Sequence, residues 1–398
     1  MTPERHDLYK CSLKVSNADT ARVPGSVILD QPSNGASQYC LKVCYRKYTG
    51  IKNGEHAKLA FVNLVFLHGN GMNKGIWHYH ITKLYEKFNL GRSRPVIDTV
   101  IAVDSVNHGH SAEINKGKLG NVYNWNDGAK DVIKLLKEDE YECFERPNTM
   151  NIIIGHSMGG NQATRVSYIE PNLIDSTILI NPVFVLGPEY VESLKIALEI
   201  AMKKGIMVNT LTIPRGQDWR KYTFEFYRTR SFWKKFNEKV LNYMFEDDIS
   251  DNLKNSAPDK VDKVAFNTSA FQQLAAYLNS YKSTCYSLPT FPVIEVPIYY
   301  INSSSDYEDE DNLVFLRGKL KNVKPINLDV GTHLVHAEEP DLILDTILNI
   351  IEERVRFFNS NGDKRYLEQK LLKEDGENYK SKVWHSYLMT NFSKAFKL

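Results

Sequence analysis

The chain has 398 residues, 42% of them hydrophobic and 25% charged, with a formal net charge of +2 and five cysteines. That length and apolar content allow a large core with an inserted segment, while the near-neutral balance gives no nucleic-acid surface and no apolar run reaches the ~18–20 residues of a membrane span. Cys11, Cys40, Cys44, Cys143 and Cys285 are scattered and odd in number, which suits a reducing compartment and completes no zinc pattern.

Residues 1 to about 60 form an irregular lead-in, and Met1–Asp30 lacks the apolar region of a secretory signal, so none is expected. Within it Ser12–Val15 and Tyr39–Tyr45 alternate like antiparallel edge strands. Phe61–Leu67, apolar except for Asn63, is expected as a strand buried on both faces, and it runs into His68-Gly69-Asn70-Gly71. A helix is expected over Trp77–Phe88, a strand over Thr99–Val103 and a helix over Asn126–Glu138. The loop Asp104–Ser111 after that second strand reads as architectural, with Gly109 at a sharp bend.

The next strand carries the strongest signal. Asn151 is followed by the apolar Ile152–Ile154, which leads into Gly155-His156-Ser157-Met158-Gly159-Gly160, with a helix expected over Asn161–Ile169. Gly-x-Ser-x-Gly between a strand and a helix is the pattern of a nucleophile elbow. Gly155 and Gly159 leave room at a tight corner that exposes the Ser157 hydroxyl. The backbone N–H of Met158 faces the same space, as half of an oxyanion hole. A second donor is expected from the loop after strand 61–67, at the backbone of Asn70.

A strand at Ser176–Ile180 ends in Asn181-Pro182. Alternation then stops. Residues 186–290 show helical periodicity, no clear buried strand and many aromatics, and suit a helical cap over the carboxyl edge of the sheet. In that arrangement Lys203, Lys204, Arg215 and Lys221 are surface charge. The sheet resumes at Val296–Asn302, followed by the acidic run Asp306–Asp311, a helix over Leu313–Leu320, a strand over Pro325–Val330 and Gly331-Thr332-His333. Asp341–Phe358 is an amphipathic helix, and residues 359–398 form a polar extension. Repeated strand–helix alternation predicts an α/β fold with a doubly wound, mostly parallel sheet. Its core is expected over residues 1–185 and 291–358, with the cap at 186–290.

Serine needs a base, and histidine has a suitable intrinsic pKa. His333 follows a strand late in the chain, in the order nucleophile, acid, histidine. His336, three residues on, is expected to point elsewhere. The acid is expected at Asp306, with Asp309 as its competitor in the same loop; Asn181 stands where an acid could stand but carries no charge. The remaining histidines lack metal-ligand spacing, so neither a metal nor a cofactor is expected.

The set Leu67–Gly71, Asp104–Ser111, Gly155–Gly160 and Gly331–His333 resembles the α/β-hydrolases over about residues 40–357. Asn63–Met72, Val106–Ser111, Asn124–Ala129 and His333–Leu342 are similar to a yeast peroxisomal-lipase branch of that superfamily. The resemblance implies a serine lipase or carboxylic-ester hydrolase acting on acylglycerols, with Ser157 as nucleophile and His333 as base. The same machinery would also suit an acyl-CoA thioesterase or acyltransferase, and a hydrolase-like binding protein with an idle triad is the non-enzymatic alternative. The C-terminal Phe396-Lys397-Leu398 is similar to the address Ser-Lys-Leu, with Phe396 where a small residue is usual. It implies a peroxisomal import receptor as partner and the peroxisomal matrix as location, with the cytoplasm as the other expectation.

Overall fold

The structure, a computed structural model, describes residues 8–28, 40–51, 61–88, 96–146, 149–254, 256–257, 260–306, 310–361 and 381. Eight strands form one sheet: β1 (Tyr9–Asn17), β2 (Lys42–Gly50), β3 (Phe61–Leu67), β4 (Val96–Val103), β5 (Thr149–His156), β6 (Ser176–Ile180), β9 (Ile298–Asn302) and β10 (Val323–Asn327). Their order is β1-β2-β4-β3-β5-β6-β9-β10. The β1–β2 and β2–β4 pairs are antiparallel, and every pair from β4 through β10 is parallel. Two further strands, β7 (Thr210–Thr212) and β8 (Lys263–Ala265), pair with each other alone.

The first helices are α1 (His78–Phe88), α2 (Gly109–Ile114), α3 (Trp125–Lys134), α4 (Tyr141–Phe144) and α5 (Met158–Ile169). Between β6 and β9 lie α6 (Pro188–Lys203), α7 (Trp219–Thr229), α8 (Glu238–Asp247), α9 (Asp251–Lys254), α10 (Ala270–Leu278), α11 (Ser280–Thr284) and α12 (Ser287–Thr290). The last are α13 (Glu310–Lys319), α14 (Val335–Glu338) and α15 (Pro340–Asn361).

The central strands are buried on both faces because helices cover both. Alternate side chains of β5 enter opposite cores, as the period of two requires. Ile152 and Ile154 join Phe66, Ile178 and Trp77 on the side of α1 and α15. Ile153 joins Val65, Leu179 and Val166 on the side of α3 and α5. Edge strand β1 buries only Tyr9 and Ser16 and carries lysines at 10 and 14, which discourages further strand pairing.

Many aromatics of the 186–290 segment pack as core: Trp219, Phe226, Tyr227, Phe236 and Phe245 are buried in the cluster containing α1, and Tyr222, Phe224, Trp233 and Tyr243 pack against it. The segment is not purely helical, since the β7–β8 ribbon crosses it; strands of three residues are too short to leave a period in the sequence. Other differences sit at element ends. The helix expected from Trp77 is a 3₁₀ turn over Lys74–Trp77 before α1, because Asn73 caps the earlier position by accepting the Gly75 N–H at 2.9 Å. The helix expected over Asn126–Glu138 ends as a wider π turn at Leu135–Asp139. The strand expected at Pro325–Val330 is displaced to Val323–Asn327, where it pairs with β9. Residues 362–380 and 382–398, with the Phe396-Lys397-Leu398 ending, lie outside the described residues, as does Asp309.

Candidate active site

β5 ends at His156, and the chain turns through Ser157 into α5. Ser157 has φ 53° and ψ −116°, a left-handed conformation that costs a non-glycine residue about 1–3 kcal/mol. Its surroundings hold it there. The Ser157 N–H donates to the Ile180 carbonyl at 3.1 Å, and the Ser157 carbonyl accepts from Gly160 and Asn161 at 3.0 and 3.2 Å. A Cβ on Gly155 would stand 2.2 Å from the Gly159 carbonyl oxygen, and one on Gly159 2.4 Å from that of Leu67. Glycine at both positions is therefore a matter of close backbone approach.

The turn places Ser157 Oγ 2.9 Å from Nε2 of His333. On the other side of that ring, Nδ1 lies 2.7 Å from Oδ1 of Asp306. The Asp306 carboxylate is almost wholly buried, at 1% exposure, whereas His333 keeps 26%. An Nδ1–H donated to Asp306 leaves Nε2 with a lone pair toward the serine hydroxyl. Asn302 Nδ2 lies 3.3 Å from the second oxygen of Asp306. Three sequence-distant candidates thus meet: Ser157 at the end of β5, Asp306 after β9 and His333 after β10.

Parallel neighbours bring their carboxyl ends to one edge, and local pairing then aligns the loops. Ser305 bridges Thr332 beyond the ends of β9 and β10, with the Ser305 N–H donating to the Gly331 carbonyl at 3.1 Å. Glu338 accepts from the backbone N–H and hydroxyl of Thr332, at 3.1 and 2.9 Å. His156 donates from Nε2 to the His333 carbonyl at 2.8 Å. Burial, and then His333, hold the His156 pKa well below the usual histidine value, so it stays neutral. His336 is buried and stacks on His156 with ring centroids 3.8 Å apart.

One residue at this edge was credited with no role in the sequence. Asn181, fully buried with φ 41°, follows β6 and so stands beside the end of β9. Its Nδ2 donates to Ser303 Oγ at 2.9 Å and lies 3.1 Å from the carbonyl oxygens of both Thr332 and His333. Its Oδ1 accepts the Ser303 N–H at 2.9 Å. The sequence signal was its place at a strand end before Pro182; its partners are more than 120 positions away.

The loop after β3 presses on the elbow. A Cβ on Gly69 would come within 2.6 Å of His156 Nδ1 and 3.3 Å of Ser157 Cβ. Asn70 faces the same cavity as Ser157, and its Nδ2 donates to the Gln273 carbonyl of α10 at 3.0 Å. Met158 opens α5, and the first N–H groups of a helix have no intrahelical acceptor. Asp104–Ser111 is structural: Asp104 accepts from Lys74 Nζ at 2.7 Å and from the His110 N–H at 3.0 Å, while Gly109 bends at φ +51°.

A cavity of about 480 Å³ opens onto Ser157, His333 and Asp306. Much of its lining is apolar, with Met72, Leu194, Leu198, Met207, Phe232 and Trp233, and among the described residues no lysine, arginine or glutamate lines it. Among the described residues no group of three or more His, Cys, Asp or Glu is arranged to hold a metal, and no helix is long and apolar enough to cross a membrane.

The sheet order and the strand–turn–helix at Ser157 define the class as an α/β-hydrolase. Residues 64–346, more than half of the chain, match the model of the alpha/beta hydrolase family, and the chain belongs to that family. It is 28% identical to the Peroxisomal membrane protein LPX1 of Saccharomyces cerevisiae, over 87% of this chain and 88% of that protein. The crystal structure of Peroxisomal alpha-beta-hydrolase Lpx1 from the same yeast superimposes with a TM-score of 0.74 at 26% identity, covering 88% of this chain and 90% of that one. A shorter similarity, 28% identity over 42% of this chain and 36% of that protein, links it to Type I acyl-CoA thioesterase mpaH of Penicillium roqueforti.

Proposed function

We propose that this hydrolase is a serine esterase that cleaves fatty acyl esters, with acylglycerols as the first substrate class. The observation that carries this reading is the unbroken hydrogen-bonded path from Ser157 through His333 to Asp306, at the floor of an apolar cavity. Ser157 Oγ attacks the acyl carbonyl while His333 Nε2 takes its proton. Asp306 holds the ring tautomer and stabilises the imidazolium. The backbone N–H groups of Met158 and Asn70 are assigned to the oxyanion, the first reinforced by the N-terminus of α5. His333 then protonates the leaving alcohol, and water, activated by the same ring, hydrolyses the acyl-enzyme. No step needs a cofactor.

Residues 186–290 act as the cap in this reading, supplying the apolar wall along which an acyl chain lies. Apolar burial contributes about 0.8 kcal/mol per methylene, which favours long chains over acetyl esters. Peroxisomal location is part of the proposal, supported by the similarity to the yeast Peroxisomal membrane protein LPX1. A thioester substrate is the second reading, favoured by the partial similarity to an acyl-CoA thioesterase.

The test is labelling with a fluorophosphonate, followed by a screen of triacylglycerol, p-nitrophenyl and acyl-CoA substrates. Labelling that disappears in Ser157→Ala, with ester turnover lost in parallel, supports the proposal. An unlabelled wild-type chain that hydrolyses none of the three would mean an idle triad and a binding role.

A further inference from the structure

Among the described residues no lysine or arginine lines the cavity, yet the segments flanking its lining residues Met207, Phe232 and Trp233, taken here as its rim, carry five cations. Met207 lies three residues past Lys204, and Phe232 and Trp233 sit between Arg230 and the Lys234-Lys235 pair; Met207, Phe232 and Trp233 all line the cavity. Lys203, Lys204, Arg230, Lys234 and Lys235 are all exposed. A Cβ on Gly205 would stand 3.7 Å from the Arg230 guanidinium, so the turn after α6 and the segment after α7 meet. Phe232 is itself 44% exposed, which marks this side as the mouth.

These five charges are not neutralised as their neighbours are. Lys195, Arg220 and Arg228 pair with Glu192, Glu246 and Glu225. Among the described residues none of the five forms an ion pair with a carboxylate; Arg230 only overlies the Phe226 ring, at 5.8 Å. A place at the C-terminal ends of α6 and α7 accounts for Lys203, Lys204 and Arg230 through the helix dipole. It does not account for Lys234 and Lys235, which add charge beside Arg230 and cost repulsion that an anion would relieve.

We propose that this rim is a head-group site, and that the preferred substrates are long-chain acyl esters or thioesters whose non-acyl part carries phosphate. The inference rests on the acyl-ester reading and narrows its substrate class. The chain enters the apolar cavity toward Ser157 while the phosphate stays outside among the lysines and Arg230. A phosphate there is held by charge attraction that salt screens, with Arg230 adding paired N–H donors. Two sources share this chemistry, a free acyl-CoA and a phospholipid in a membrane.

Two measurements test it. The first uses the Ser157→Ala protein, so it does not depend on turnover. Dodecyl phosphate and neutral monododecanoylglycerol are titrated against tryptophan fluorescence. The ratio of their affinities should fall about tenfold when Lys203, Lys204, Lys234 and Lys235 are all replaced by Glu. It should fall about threefold when salt is raised from about 50 to about 300 mM in the parent. A ratio unchanged by both overturns the site, and matched melting curves ensure that the variant compared is folded. The second measures kcat/KM on dodecanoyl-CoA and on phosphatidylglycerol vesicles, each relative to p-nitrophenyl dodecanoate. The source is the substrate whose relative rate falls about tenfold with charge reversal; if neither responds while the neutral ester is cleaved, the proposal fails. If the binding ratio shifts but no ester is cleaved, the hydrolase reading fails and the head-group site stands.

Discussion

Asn181 and His333 meet 3.1 Å apart, the Asn181 amide at the His333 carbonyl oxygen, although 152 positions separate them. The same amide binds the loop of Asp306 through the N–H and hydroxyl of Ser303. A single side chain after β6 thus ties the His333 loop to the Asp306 loop without touching the imidazole or the carboxylate. The left-handed backbone at φ 41°, tolerated better by asparagine than by most residues, is what points its amide into the gap.

Asn181→Ala should therefore act on orientation. A triad geometry loosened by about 1 Å costs on the order of 10²-fold in rate, so kcat on a p-nitrophenyl ester should drop by about that factor while KM moves less than about twofold. Buried Ser303 loses the partner of both its N–H and its hydroxyl, while the Thr332 and His333 carbonyls keep the Val335 N–H and His156; the loss at Ser303 should also cost about 1–3 kcal/mol in stability. Asn181→Asp should restore little, because its carboxylate cannot donate to two carbonyl oxygens. Equal kcat for parent and Asn181→Ala would show that the loops hold themselves.

Leu194 lies on the cavity-lining face of α6 with Leu198. Tryptophan at 194 would fill part of the acyl wall. The expected result is a shift of preference toward short chains, with kcat/KM on a hexadecanoyl ester falling about tenfold or more while a butanoyl ester changes little. Methylene-by-methylene discrimination of this kind is worth about 1 kcal/mol per group. A parallel loss on both esters would indicate a damaged site.

Stability should fall in mild acid. Burial holds the fully buried His68, His80, His108, His156 and His336 below the ordinary histidine pKa, His80 at about 4. The last three are also opposed by neighbouring histidines. A depressed histidine contributes stability above the unfolded value near 6.5, and that contribution is lost as pH falls below it. Asp131 and Asp248 act in the opposite sense, since burial raises them to about 6 and about 7. More groups are depressed histidines than raised acids, so the net slope favours unfolding as pH drops below the unfolded histidine value. Urea midpoints at pH 5 and pH 7 measure it; a higher midpoint at pH 5 contradicts this sign.

Lys74 is fully buried between Asp104 at 2.7 Å and Asp247 at 3.4 Å, joining the loop after β4 to α8. Arg46 also bonds Asp247. Lys74→Met keeps most of the volume but leaves Asp104 without its cation. Breaking a buried pair on one side costs about 3–5 kcal/mol, and equilibrium denaturation should report that loss. Lys74→Met/Asp104→Leu should recover part of it, because no charge is then stranded. A double variant no more stable than the single one would place the effect in packing.

Elements whose causes are local were legible in the chain. The apolar runs of β3 and β5 announce strands covered on both sides, and the glycines around Ser157 announce a corner with no room for side chains. Chain order pointed to His333. Where the cause lies across the molecule, the sequence offered alternatives or nothing. The loop 306–311 holds five carboxylates in six positions, chemically equivalent in one dimension. Asp306 stands at the imidazole because Ser305 pairs with Thr332 beyond two parallel strands. Asn181 resembled a failed acid until β6 was laid beside β9. The ribbon β7–β8 and the Lys74 network were silent because three-residue strands leave no period and a buried lysine looks like any other. Sequence by itself determined the fold class and the strained corner, since backbone sterics and apolar periodicity are short-range. Only the tertiary structure decided which acid and which amide meet the histidine, since sheet order, rather than chain distance, brings strand ends together.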